Sequence, residues 1–153
     1  KLPTNYLYII AGDGPEYQNL TQTIKNLTLE DRVFLLGYVT EKEKACLFKF
    51  ADLFIMPNIH DIDDQEGFGI VLLEAGAYSL PCIASNIEGI KDVVIEGVSG
   101  VLVEEKNTKG FLHAITHTRF NHDQIEKALQ KKFSWSRIRK LYITKFHQLI
   151  DEN

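Results

Sequence analysis

Short apolar runs that stop at turn residues, each followed by a helix-length segment, constrain this chain more than any other feature. Tyr6 to Ala11 (YLYIIA) is continuously apolar and ends at Gly12-Asp13-Gly14-Pro15, as expected of a parallel strand buried on both faces. Glu16 to Leu27 then reads as a helix. Val33 to Leu36 is a second strand, closed by Gly37, and Thr40 with Glu43 forms a capping box that opens a helix to about Phe50. Leu53 to Met56 is a third strand, stopped by Pro57, and a polar loop (58–65) leads to an apolar helix, Ile70 to Tyr78. Pro81 to Ala84 and Gly100 to Val103 are the fourth and fifth strands. Parallel strands need crossovers and helices usually supply them, so this rhythm predicts an α/β fold with a doubly wound parallel sheet.

The last third reads as helical: Thr108 to Thr118, Asn121 to Lys131 and Ser134 to Ile150. Asn121 with Gln124 forms a second capping box, Ser134 is an N-cap, and Trp135 is expected to anchor the final helix to the sheet. With 153 residues, 44% hydrophobic and 25% charged, residues 1–153 read as one soluble domain whose residues 108–153 form a mostly helical tail. The net charge of −4 argues against a broad nucleic-acid footprint. Cys46 and Cys82, far apart in apolar segments, read as buried free thiols in a reducing compartment. With no apolar run of transmembrane length and no signal-peptide pattern, a cytoplasmic location is expected, with contact at a membrane surface left open.

Between Gly67 and Ile87 the only charged residue is Glu74. The helix around it is apolar on nearly every side and is expected to be buried. An ionised carboxylate there costs several kcal/mol, in order of magnitude, unless it is paired or lines a cavity. Gly67 and Gly69 stand where this helix begins, and free amides at a helix N-terminus without a Cβ in the way make an anion site. The loop follows the third strand, and ligands of open α/β sheets bind at the carboxyl ends of the strands. Glu74 can accept hydrogen bonds from a vicinal diol such as a ribose, the helix start can hold phosphate, and Glu66 can accept from further hydroxyls. Together these describe a nucleotide sugar. The competing reading is a buried glutamate satisfied by backbone or by an arginine, with glycines that only turn the chain.

Glu66 and Glu74 form E-x7-E within EGFGIVLLEAGA, and IIAGDGPE (9–16), VFLLGYV (33–39), ADLFIMPN (51–58), LPCIASNIEGIKDVV (80–94), GVSGVLV (97–103) and FSW (133–135) accompany it. In order and spacing these stretches resemble the C-terminal, nucleotide-sugar-binding lobe of retaining family-4 glycosyltransferases of GT-B fold, over nearly the whole chain. The resemblance implies a Rossmann-like sheet and transfer of a sugar from a nucleoside diphosphate of UDP or GDP type to an acceptor hydroxyl, with retention of configuration. It places the donor-sugar hydroxyls on Glu66, the catalytic assignment, and the ribose diol on Glu74. The diphosphate and sugar fall on the backbone of Gly67, Phe68, Gly69, Ile70 and Val71, and Val39 lines the base. Lys44 aligns with a basic residue near the nucleotide in some members, or is a solvated helix lysine. Gly12 and Gly14 keep the turn at the cleft, or serve turn geometry alone. In the implied mechanism the leaving phosphate takes the acceptor proton, so the two glutamates position and stabilise charge rather than act as a hydrolase pair.

Two parts of the family pattern have no counterpart among these residues: the Arg and Lys that clamp the diphosphate, and the acceptor-binding lobe. Arg32, Arg119, Arg137 and Arg139 read as peripheral. The resemblance therefore implies a fragment or one member of a split enzyme, inactive alone, meeting its acceptor glycan or glycolipid through a missing N-terminal lobe. In the family order 3-2-1-4-5-6 the first strand is central, and its absence here is expected to leave a gap or an exposed edge. Polysaccharide or glycolipid synthesis is the implied setting. A nucleotide-sugar epimerase, a non-catalytic nucleotide-sugar module and a purely structural domain stand as alternatives.

Weaker signals point elsewhere. Gly12-Asp13-Gly14 begins like a dinucleotide fingerprint, but Tyr17 stands at the third glycine. Asp61-Ile62-Asp63 matches the D-x-D used by another glycosyltransferase fold to hold a metal; no metal is expected here. His113 and His117, with His122 nearby, lack a carboxylate at a zinc-binding step. Arg137, Arg139, Lys140 and Lys145 in the last helix suit a solvated face better than anionic lipid.

Overall fold

The computed structural model describes residues 2–60 and 68–151. The chain forms two compact units, Lys1–Phe50 and Ala51–Asn153. The N-terminal unit holds β1 (Tyr8–Ala11), α1 (Tyr17–Asn26), β2 (Val33–Gly37) and α2 (Glu41–Phe50). The C-terminal unit holds β3 (Phe54–Met56), α3 (Ile70–Ala77), β4 (Cys82–Ser85), α4 (Ile90–Val93), β5 (Gly100–Val103), α5 (Thr108–His117), α6 (His122–Phe133) and α7 (Trp135–Asp151). Every expected strand and helix is present, with ends shifted by one or two residues. The short α4 had no sequence signal, because four residues are too few for a helical period to show.

In the N-terminal unit β1 and β2 run parallel, Tyr8 opposite Val33 and Ala11 opposite Gly37. Gly12, at φ +142°, donates its N–H to Gly37 O at 2.8 Å and ties the ends of the two strands; a side chain at that φ would be strained. The capping box of α2 forms as expected. Thr40 N and Oγ1 both reach Glu43 Oε2 at 2.7 Å, and Glu43 N donates to Thr40 Oγ1 at 3.3 Å. The backbone bond from Thr40, then its hydroxyl, holds the Glu43 carboxyl below its ordinary value of 4.5. Because the folded pKa is the depressed one, the stabilisation is present above 4.5 and is lost as pH falls through the folded value. Thr40→Ala removes the hydroxyl and keeps the backbone N–H, so it should move the Glu43 titration only part of the way back to the ordinary range, read by carboxyl NMR.

Cys46 is exposed on α2, not buried. The helix is amphipathic and buries only Phe48, so an apolar neighbourhood in sequence does not become one in space. Cys82 is buried, and burial first, with the Glu96 charge second, pushes its thiol up to about 12. A thiol-specific reagent at neutral pH should therefore modify Cys46 and leave Cys82 untouched until the chain unfolds. Labelling of Cys82 in the native protein, detected by mass spectrometry, would contradict this.

In the C-terminal unit β4 lies between β3 and β5, all parallel. Each β4 residue is buried. Cys82 and Ala84 pack with Met56, Leu72, Ile90 and Val93 on one face, while Ile83 packs with Val103 and Ala114 on the other. The three-stranded sheet is therefore doubly wound, with a core on each side. Hydrogen bonding makes two separate parallel sheets, β1-β2 and β3-β4-β5, rather than one.

Gly76 on α3 faces α6, and a Cβ built there would run into Leu129 Cδ1. That atom ends a flexible side chain and can move, and alanine regains about 1 kcal/mol of helix propensity. Gly76→Ala should therefore change stability by no more than about 1 kcal/mol, read by chemical denaturation.

Trp135 does not anchor the last helix. It is 84% exposed, and the main neighbour of α7 is α6. Ser134 ends α6 and its hydroxyl meets Ser136 Oγ at 3.2 Å, so the chain turns into α7 with the indole outward. Asn121 caps α6 through Asp123 N at 3.2 Å. Arg137, Arg139, Lys140 and Lys145 are exposed alongside it. Among the described residues no helix is long and apolar enough to cross a membrane.

Candidate functional site

The expected site residues divide between the two units. In the N-terminal unit Gly12 and Gly14 follow β1, and Val39 lies two residues beyond Gly37 at the end of β2. Gly14 N donates to Asp13 Oδ1 at 2.8 Å within the turn. Lys44 stands on α2, its Nζ 3.0 Å from Glu41 Oε2. A cavity of about 300 Å³ in this unit lies between α1 and β2, lined by Tyr17, Ile24, Phe34 and Leu36, and includes none of the expected site residues.

In the C-terminal unit the expected residues fall at the start of α3. Gly69 is its N-cap, and among the described residues no side chain caps the helix start. Phe68 precedes it, and its ring meets Phe133 edge-on with centroids 6.2 Å apart. Glu66, Gly67 and the Asp61-Ile62-Asp63 triplet lie outside the described residues.

The expectation that α3 is buried on every side needs correction. Leu72, Ala75 and Gly76 are buried against the sheet, α4 and α6, but Ile70 is 61% exposed and Glu74 is half-buried. Ile70, Glu74 and Ala77 follow the i, i+4, i+7 spacing of a single helical stripe. An 8-residue helix packed on one side keeps that stripe open, whatever its composition. Glu74 therefore sits on an accessible apolar stripe, one turn in from the glycine-opened helix start. Glu74 is partly rather than fully buried, so its desolvation cost is smaller than that of a carboxylate deep in the core. Its position suits a ligand that brings phosphate to the helix start and hydroxyls to the carboxylate.

The carboxyl ends of β3, β4 and β5 are tied by acidic residues that sequence reasoning did not single out. His60 N donates to Glu105 Oε2 at 2.7 Å, and Asn86 Nδ2 donates to Glu104 Oε1 at 2.9 Å. Their signal was their place directly after GVSGVLV, at a strand end. Ser85, fully buried at the end of β4, has a hydroxyl with no hydrogen-bond partner among the described residues.

No group of three or more His, Cys, Asp and Glu able to hold a metal occurs among the described residues. His113 and His117 stack, ring centroids 4.4 Å apart, and His117 Nδ1 meets Thr116 Oγ1 at 2.7 Å. His122 Nδ1 meets Ser79 O at 3.1 Å. Arg32 bonds Pro3 O and Leu2 O, and Arg119 bonds Thr116 O and Thr118 O, so both are engaged locally.

An α/β body with parallel strands and a glycine-opened helix beside the strand ends is of the Rossmann-like ligand-binding class. The chain belongs to the family Glycosyl transferases group 1, which it matches over residues 1–132. It is 39% identical over 102 residues to N-acetyl-alpha-D-glucosaminyl L-malate synthase of Bacillus anthracis, covering 67% of this chain and 25% of that protein. It is 30% identical over 128 residues to the putative colanic acid biosynthesis glycosyltransferase WcaL of Salmonella typhimurium, covering 82% of this chain and 32% of that protein. Among solved structures, Anabaena Alr3699/HepE in complex with UDP superposes with a TM-score of 0.77 at 23% identity, over 95% of this chain and 42% of that one. The chain thus spans a quarter to a third of those two curated relatives.

Proposed function

We propose that this chain is the donor-binding, C-terminal lobe of a retaining glycosyltransferase that transfers a sugar from a nucleoside diphosphate to an acceptor hydroxyl. The observation that carries this reading is the α3 start: a glycine N-cap with Glu74 one turn further on an open stripe. The Anabaena protein of like fold is described in complex with UDP and with UDP-glucose, which supports a sugar-nucleotide ligand at this site. Glu74 holds the ribose diol, and the amides of Gly69 and Val71 hold the diphosphate. Glu66 and Gly67 have parts in this reading through the resemblance alone, as do Val39, Lys44, Gly12 and Gly14.

The leaving group is a diphosphate whose negative charge grows as the glycosidic bond breaks. Amides at a helix start lower that barrier by stabilising the charge where it develops. A carboxylate gripping the diol fixes the nucleotide, so the sugar carbon meets the acceptor in one orientation. No metal is required in this scheme. The acceptor, a glycan or glycolipid, is brought by a second lobe, and the setting is cytoplasmic, at the inner face of a membrane. Relatives named for colanic acid and O-antigen biosynthesis favour a surface polysaccharide as the product. Titration calorimetry with UDP, GDP and their sugars tests the reading. Saturable binding of one base series supports it, and a well-folded full-length protein that binds none refutes it.

A further inference from the structure

Phe68 is 40% exposed, yet its ring is held. The edge-on contact with Phe133, planes at 74°, joins the residue before the α3 N-cap to the last residue of α6. Lys132 Nζ lies 4.9 Å from the centre of the Phe133 ring and donates to Asp92 O in α4 at 2.8 Å. A chain of contacts therefore runs from α4 through Lys132 and Phe133 to Phe68. The close packing of α3 on α6 sits at the other end of α3, where Gly76 admits Leu129. The ring pair acts instead on the entry to the helix. Phe68 O accepts from Ile70 N, and Gly69 O accepts from Leu72 N at 2.9 Å, so a displaced Phe68 backbone displaces the first-turn amides.

We propose that Phe133, locked by Lys132, is a positioning residue that holds the start of α3 in place for a nucleoside diphosphate. The inference rests on the proposed function for the identity of the ligand. Preorganised donors bind more tightly because the ordering cost is already met in the free protein.

The test uses the full-length protein, with UDP against uridine and GDP against guanosine as probes. Phe133→Leu, which keeps bulk but removes the aromatic edge, should weaken the diphosphate roughly two- to tenfold and leave the nucleoside unchanged. Phe133→Tyr should restore the ratio, and Lys132→Met, at an exposed position, should lower it in the same sense. Glu74→Ala should weaken both ligands, since both carry the diol. Unchanged diphosphate affinity in Phe133→Leu, beside a loss in Glu74→Ala, overturns the positioning role and leaves the donor site standing. An equal loss on diphosphate and nucleoside marks a general structural role and also overturns it. If the unaltered protein binds neither diphosphate, the donor reading and this inference fall together. Should Phe133→Leu not fold, the same ratio in Lys132→Met decides.

Discussion

Glu74→Ala is expected to weaken nucleoside-diphosphate binding by roughly 100-fold, about 3 kcal/mol, while the melting temperature moves by less than about 3 °C. The size follows from the bond type. A carboxylate accepting from two ribose hydroxyls makes charge-assisted hydrogen bonds, each stronger than a neutral one. Losing both also leaves the two hydroxyls facing an apolar stripe. The small thermal effect follows from placement, because Glu74 is only partly buried and is not among the buried residues of α3. A 2′-deoxy nucleoside diphosphate supplies an internal control. It should bind the unaltered protein more weakly than the ribonucleotide, and Glu74→Ala should cost it less. A deoxy ligand that loses as much as the ribo ligand would place Glu74 away from the diol.

Gly100→Ala is expected to destabilise the protein by about 3 kcal/mol, lowering the melting temperature by roughly 6–12 °C. A Cβ at Gly100 would lie 2.6 Å from Cys82 O and close to its Sγ. The sulfur can rotate, but the carbonyl cannot, because it belongs to β4, the central strand of its sheet. Gly100 is paired with Cys82 in the β4-β5 ladder, so relief requires the two strands to separate. This distinguishes it from Gly76, whose obstacle is a side-chain end. Differential scanning calorimetry of both alanine variants tests the contrast. A Gly100→Ala protein that melts with the parent would show that the strand pair yields easily.

The strands and helices were legible because each carries its own local signal. The apolar runs at Tyr6, Val33, Leu53 and Pro81 end at glycine, proline or polar residues, and the Thr40–Glu43 box announces α2 with its own hydrogen bonds. Local signals fail where the outcome depends on what packs against what. Trp135, expected to anchor the last helix to the sheet, and Cys46, read as buried, are both exposed, since burial is a property of neighbours distant in sequence. The role of FSW was unreadable for the same reason: Phe133 meets Phe68 across 65 positions of sequence. The ties from Glu104 and Glu105 to Asn86 and His60 likewise join three different strand ends.

The α/β class, the order of the elements and the place of EGFGIVLLEAGA in a recognisable pattern follow from the order of the residues, because strand and helix periods and turn chemistry are short-range properties. That the strands pair as two sheets and that α3 buries one side emerges only in the folded chain. Glu74 therefore lies on an open stripe rather than in the core. Those outcomes depend on which faces find partners, and a lone carboxylate in an apolar helix takes its meaning from the side left uncovered.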